Sequence, residues 1–319
     1  MTTQNWQPTA TRAALALRAQ LLKRLRQFFE ERGVLEVDTP ALSDAAVSDV
    51  HLHSITATVN GAPRFLQTSP EFPMKRLLAA GYGDIYQVCK VFRDGEAGRF
   101  HNPEFTLVEW YRVGFDHHRL MREVAALLQV LLADQLGLVP PQYITYEQAF
   151  SLYAGVNPHN ASKTRLLECL AAHGITHDET DRDVLLDLIG SHLVYPRLGH
   201  GGLMFIYDFP ASQAALARIR PGQPTVAERF EAFLNGMELA NGYHELADAG
   251  EQAERFARDN GIRRMRGLPE HPVDQRLLAA LEHGLPACAG VALGFDRVVM
   301  LAAGVSDISG VLAFPADRA

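Results

Sequence analysis

Cysteine is scarce in this chain. Cys89, Cys169 and Cys288 lie far apart with no paired spacing, which excludes a disulfide framework or a cysteine-built zinc site and suits reduced thiols. Long apolar runs are missing too. A bilayer-spanning helix needs roughly 18 or more apolar residues in a row, and the run LLQVLLA is broken by Gln129. The opening stretch MTTQNWQPTATRAAL has no basic segment leading into an apolar core of roughly 7–15 residues. No secretory signal or membrane partner is therefore expected, and the chain reads as cytoplasmic. Excess positive charge is also lacking, since 30 Lys and Arg stand against 37 Asp and Glu for a formal net charge of −7. Proteins that grip folded RNA through its phosphates carry clustered basic surface, so tRNA is not an expected partner. Basic groups do gather at Arg18, Lys23, Arg24 and Arg26, and again at Arg263, Arg264 and Arg266. The ordinary reading is a solvated helix face; the sharper one is a dock for an acidic protein.

The common nucleotide loops are absent as well. No G-x-x-x-x-G-K-[ST] occurs, no G-x-G-x-x-G follows a strand, and no G-x-S-x-G elbow supports a serine nucleophile. The glycine-rich GHGGLMF at 199–205 reads as a turn. His51 and His53, two apart, could share one face of a strand as metal ligands, but no third ligand accompanies them.

What is present is a globular composition, 47% hydrophobic and 21% charged over 319 residues, enough to bury a large core and read here as one domain over residues 1–319. Leu15, Leu22, Leu25 and Phe29 recur at helical spacing over 12–32, with Gly33 as the stop. VLEVDTP reads as a strand closed by Pro40, and RFLQTSPEFPMKRLLAAGYG as strand, turn and helix. IYQVCKVFRD and EFTLVEWYRV are two strands around a polar loop. Residues 117–134 and 162–172 are helical in pattern, 173–200 give no clear signal, and PACAGVALGFDRVVMLAAG is strand then helix. Strands returning through hairpins, with helices before and between them, predict an α+β fold built on an antiparallel sheet flanked by helices.

In the strand EFTLVEWYRV, alternation puts Phe105, Leu107, Glu109 and Tyr111 on one face. A carboxylate and a phenol in line with two apolar groups suit either an exposed edge or a platform: an aromatic for stacking on a base, then Glu109 and Tyr111 for an ammonium group. Arg93, ending the preceding strand, could reach a phosphate with its planar fork of donors. Downstream, GMELANGYHEL holds Asn241-Gly242, read as a two-residue hairpin turn that sets Ala240 opposite Tyr243 and Glu238 opposite Glu245. Facing carboxylates repel unless a cation lies between them, and Mg²⁺ is the natural candidate. Side chains splayed into water are the alternative.

These stretches together resemble the class II aminoacyl-tRNA synthetases, most closely their lysine-specific branch. GVLEVDTP matches the first family motif, FRDGEAGRFHNPEF the second and GVALGFDR the third; SPE at 69–71, ELANGYHEL and VLAFPADR are typical of the branch. The resemblance runs from about residue 12 to the end. The RNA-charging lysine enzymes carry an N-terminal OB-fold domain, whereas here the first motif begins at residue 33, so no such domain is expected. The pattern is similar to shortened relatives that attach (R)-β-lysine to a lysine of elongation factor P. HNPEFTLVEWYR and Ala292, where the RNA-charging branch has glycine, both favour them.

The resemblance implies the rest. ATP is the co-substrate, Mg²⁺ the metal, (R)-β-lysine or lysine the activated acid, elongation factor P the protein substrate, and a homodimer the assembly, paired through GVLEVDTP. Arg93 and Arg297 would be catalytic, on the α- and γ-phosphates. Asp94, Gly95, Asn102, Phe105, Glu238, Leu239 and Gly294 would complete the ATP site, with Phe105 stacked on adenine. Ser69, Pro70, Glu71, Glu109, Tyr111, Glu245 and Ala292 would surround the amino acid, with Glu238 and Glu245 holding the metal. In isolation, Glu71 would be a helix N-terminal acid stabilised by the dipole. Two positions depart from the family pattern. Gly95 replaces the glutamate of Arg-x-Glu, with Glu96 one place later, and Ala247 stands where the lysine branch often has asparagine.

Overall fold

A computed structural model describes residues 6–133, 137 and 139–319. In chain order the strands are β1 (Leu35–Glu36), β2 (Leu42–Ser43), β3 (Thr56–Val59), β4 (Ala62–Leu66), β5 (Ile85–Phe92), β6 (Glu104–Val113), β7 (Gln142–Thr145), β8 (Met204–Pro210), β9 (Ile219–Arg220), β10 (Val226–Leu234), β11 (Met237–His244) and β12 (Cys288–Gly294). The helices are α1 (Arg12–Glu30), α2 (Glu71–Ala79), α3 (His117–Leu131), α4 (Tyr146–Ala154), α5 (Lys163–Ala172), α6 (Arg182–Ile189), α7 (Ala249–Met265), α8 (Gln275–Gly284) and α9 (Phe295–Ala303).

One sheet organises the molecule, in the order β1-β5-β6-β12-β11-β10-β8-β7 with β9 beside β10; β2, β4 and β3 form a smaller one. The pairings from β5 across to β8 are antiparallel, as the hairpin pattern requires. Both outermost pairings, β1 with β5 and β7 with β8, are parallel. They follow from long excursions of the chain that a local reading of hairpins does not register.

Alternation along β6 divides the two faces. Val108 and Trp110 enter a core with Leu21, Leu25 and Phe29 of α1, Leu120, Val124 and Leu127 of α3, and Val298 and Val299 of α9. Tyr111, on the other face, packs with Phe72, Met74 and Leu78 of α2 and with Leu277 and Leu281 of α8. A further core joins α4, α5 and α6 to β8 and β10, and it gives the uninformative 173–200 stretch its structure: Leu185, Leu186 and Ile189 of α6 are fully buried there.

The hairpin turn lies elsewhere than the sequence suggests. Within RFEAFLNGMELANGYHEL Asn-Gly occurs twice, and the pair that turns is Asn235-Gly236, both at positive φ (53° and 72°) between β10 and β11. Asn241 and Gly242 lie within β11, paired with Ala292 and Val291 of β12. Gly242 is required by packing, since a Cβ there would sit 2.5 Å from the Phe230 ring and 2.9 Å from the Gly290 carbonyl. Glu238 and Glu245 are therefore not opposed across a hairpin; Ala240 pairs with Ala232 and Glu238 with Phe233. That register gives β11 an extra residue, Leu239, a bulge of the kind that re-aims side chains.

Most of the basic clusters are engaged. Arg18 binds Asp296 and Thr106, Arg26 pairs with Glu36, Arg263 is buried against the carbonyls of Asp49 and Pro269, and Arg264 pairs with Glu270. Lys23, Arg24 and Arg266 are exposed. The three cysteines are free. No helix among the described residues is long and apolar enough to cross a membrane.

Candidate active site

β6 lies between β5 and β12, so its unusual face is interior and the edge explanation for Glu109 and Tyr111 fails. At the β6 N-terminal end, Phe105 and Leu107 line a cleft of about 240 Å³ together with Arg93, Glu238, Gly294 and Arg297. The Arg93 guanidinium stands 5.0 Å from the centre of the Phe105 ring and pairs with Glu96 at 3.4 Å. Gly95 takes φ +78°, its N–H donating to the Asp94 carboxylate at 2.9 Å, which swings Glu96 round to Arg93. Arg297, in the first turn of α9, donates to the Glu238 carbonyl at 2.7 Å and to Nε2 of His101 at 2.9 Å. Burial and the adjacent Arg297 charge lower the His101 pKa, leaving a neutral ring able to accept that bond. Asn102 also lines the cleft, but its amide is committed: it donates to the Glu104 carbonyl and accepts from the Ala316 N–H.

Three consecutive pairings across β6, β12 and β11 carry the face onward. Gly294 lies opposite Leu107, Ala292 opposite Glu109 and Gly290 opposite Tyr111, while Ala292 also pairs with Asn241 of β11. Ala292, Asn241 and the bulged Leu239 line the cleft. At Gly290 a Cβ would meet the Tyr111 ring at 2.3 Å and Glu245 Oε1 at 2.5 Å, so glycine is what lets these two side chains close over the strand.

Beyond Ala292 lies a buried polar cluster. Glu109 accepts from the Ser69 hydroxyl and from the Tyr111 hydroxyl, each at 2.7 Å. The same Ser69 oxygen accepts the Glu71 N–H, and Pro70 caps α2. Glu71 then pairs with Lys75 at 2.7 Å, and Lys75 with Glu245 at 2.7 Å. Burial, reinforced by the Glu71 charge, pushes Glu109 up to about 8. Burial also raises Glu245, to about 7, although Lys75 opposes it. For Lys75, burial favours the neutral amine but is outweighed by Glu245 and Glu71, so the ammonium form is reinforced. Tyr111 is raised well above its ordinary value, chiefly by burial and then by Glu109. The arrangement is an acid-lined box with Lys75 as an internal cation.

The sequence did not single out Lys75 or His101. Glu71 and Lys75 stand four apart on α2, the spacing of an intrahelical ion pair, which was the available signal; His101 lay inside the hairpin motif without a distinguishing one. Ser69 and Glu71 also line a second cavity of about 230 Å³ beside Phe72 and Arg276. Glu109, Tyr111 and Glu245 line neither of these two cavities and are buried, so the platform is covered. For a metal, half-exposed Glu238 fits as a cleft-side ligand; Glu245 points its charge at Lys75 instead. His51 and His53 are not gathered with a third ligand among the described residues.

Residues 4–318 match the family model described as tRNA synthetases class II (D, K and N). Named relatives are similar over the whole length. An elongation factor P–(R)-beta-lysine ligase from Vibrio cholerae is 52% identical, with 100% of both chains covered. Proteins of the same name from Edwardsiella ictaluri (50%, 99% of this chain and 98% of that one) and Klebsiella pneumoniae (50%, 99% of each) are similarly close.

Proposed function

The chain belongs to the class II tRNA synthetase family (D, K and N), and from that premise we propose that it is an ATP-dependent ligase that activates (R)-β-lysine, or lysine, as an aminoacyl-adenylate and transfers it to the ε-amino group of a lysine on elongation factor P. The names borne by its full-length relatives support the acceptor and the amino acid. The observation that carries the reading is the continuity of one β6 face, from a cleft lined by arginine and aromatic groups to a closed box of carboxylates, with Ala292 at the junction.

In this reading adenine stacks on Phe105 between Arg93 and Arg297, with Asp94, Gly95, Asn102, Leu239 and Gly294 forming the wall. Arg93 meets the α-phosphate and Arg297 the γ-phosphate, where two guanidinium groups offset the charge that develops as pyrophosphate leaves. Glu238 would hold Mg²⁺, which would supply positive charge to offset that of the nucleotide phosphates. Glu245 could join it only after releasing Lys75. The amino acid lays its carboxylate against the cleft and its ammonium groups among Ser69, Pro70, Glu71, Glu109, Tyr111 and Glu245. Its carboxylate attacks the α-phosphorus in line, and the enzyme contributes mainly position and field. The acceptor amine then attacks the mixed anhydride, forming an amide and releasing AMP. A homodimer through residues 33–40 completes the proposal.

Incubation with ATP, (R)-β-lysine and purified elongation factor P is expected to add one β-lysyl mass increment to that protein, and Arg297→Ala to abolish both this and pyrophosphate exchange. Transfer to RNA alone would overturn the acceptor; no exchange with any amino acid would reduce the chain to a binding protein.

A further inference from the structure

On the sheet face opposite Glu245, three potential metal ligands converge from three elements. His117 opens α3, Glu228 lies on β10 and His244 ends β11, and one donor atom from each falls within 4.8 Å of the others. His244 Nδ1 stands 2.7 Å from Glu228 Oε2. His117 is only 1% exposed, and neither of its ring nitrogens has a hydrogen-bond partner. Nε2 lies 3.6 Å from Asp208 Oδ1, within ion-pair range but too long for a hydrogen bond, and that oxygen is itself buried and unpartnered. A buried imidazole with neither nitrogen hydrogen-bonded is unfavourable unless something engages it.

The surroundings already have the form of an outer ligand shell. Arg220 donates to Glu228 Oε1 at 3.1 Å and to Asp208 Oδ2 at 2.6 Å, taking the far oxygen of each carboxylate and leaving the near ones for the imidazoles. Exposed Arg218 approaches Glu228 Oε2 at 3.8 Å from the solvent side. Carboxylates anchored in this way orient the ligands of metal centres. We propose that His117, Glu228 and His244 bind one divalent transition-metal ion, with Asp208 or water in the fourth position. Two imidazoles and a carboxylate suit Zn²⁺ rather than the Mg²⁺ of a phosphate site. Binding requires the donors to close from within 4.8 Å to roughly 3.4 Å, the edge of a tetrahedron with bonds of about 2.1 Å. The ion would pin the start of α3 to β10 and β11, directly behind Glu245. It is structural and does not depend on the proposed reaction.

The test uses the untagged full chain, stripped with a chelator and titrated with Zn²⁺. One equivalent should remain after desalting and raise the Tm, with Mg²⁺ giving no such rise. His117→Leu should lose that equivalent, and Arg220→Met should weaken binding roughly 10–100-fold, the usual effect of removing an outer-shell partner. Co²⁺ in the wild-type chain should give the strong visible bands of a four-coordinate site, a readout that survives should a variant fail to fold. Absence of stoichiometric metal and of those bands overturns the proposal and leaves a buried imidazole–carboxylate network. Full retention of Zn²⁺ in folded His117→Leu overturns it equally.

Discussion

At the scale of single residues, Glu109 and Lys75 set the chemistry of the acid-lined box. Glu109 stands at about 8 against an ordinary 4.5 because burial and the Glu71 charge disfavour its anion, yet an ammonium ligand needs that anion. Productive capture of the amino acid should therefore release a proton, and kcat/KM for amino-acid-dependent pyrophosphate exchange should climb as pH rises through about 8, with the KM for ATP unmoved. Glu109→Gln should flatten that profile and raise the amino-acid KM about 10–100-fold, the equivalent of about 1.5–3 kcal/mol for a hydrogen bond to a charged group. Stability runs the other way. Between 4.5 and about 8 the folded chain keeps a proton on Glu109 that the unfolded chain has lost, so the contribution of Glu109 to stability is fully present below 4.5 and is lost as pH rises towards 8. Lys75→Met leaves buried Glu245 and partly buried Glu71 without their cation. It should destabilise by about 3–5 kcal/mol in urea unfolding, with the deficit narrowing on acidification as the carboxylates take up protons. Glu109 was legible in the sequence because a carboxylate in phase with apolar groups breaks the strand pattern; Lys75 was not, because an i,i+4 acid–base pair on a helix looks like ordinary surface.

At the scale of elements, the strand alternation of β6 could be read directly, and its face is the one the sequence indicates. The β10–β11 hairpin could not. Asn-Gly is a turn signal only where the backbone is free to take positive φ, as at Asn235-Gly236; at Asn241-Gly242 the neighbouring strands and the Phe230 ring impose an extended chain and require the glycine for space. The same reasoning identifies Gly290 as the element that lets the box close. Gly290→Ala would drive a methyl group into the Tyr111 ring and Glu245. The expected penalty is about 1–3 kcal/mol of overpacking, measurable by thermal unfolding. Amino-acid-dependent exchange should fall, while ATP affinity, which the proposed function assigns to the cleft around Arg93 and Arg297, should hold. Equal loss of both affinities would mean that box and cleft are not separable parts of one strand face.

At the scale of the whole molecule, the sheet ends on β1, only two residues long and paired on one side to β5. An open strand edge invites pairing with another chain, and Leu35 on β1 is 50% exposed with Leu42 of β2 at 41%. These residues lie in or just after GVLEVDTP, the stretch that resembles the family's dimer motif. Glu36 is held by Arg26 and by the Tyr86 hydroxyl, which fixes the edge in a defined position. The edge is therefore ordered yet incompletely covered, which suits an isologous partner. Light scattering should give twice the 35.2 kDa chain mass, and Leu35→Glu should shift it to a single chain. Because β5 and β6 lie directly inward of β1, the monomer should also lose Tm and activation of the amino acid together. A wild-type chain that runs as a monomer at micromolar concentration while retaining full exchange activity would show that β1 is finished as it stands, and that Leu35 is exposed for another reason.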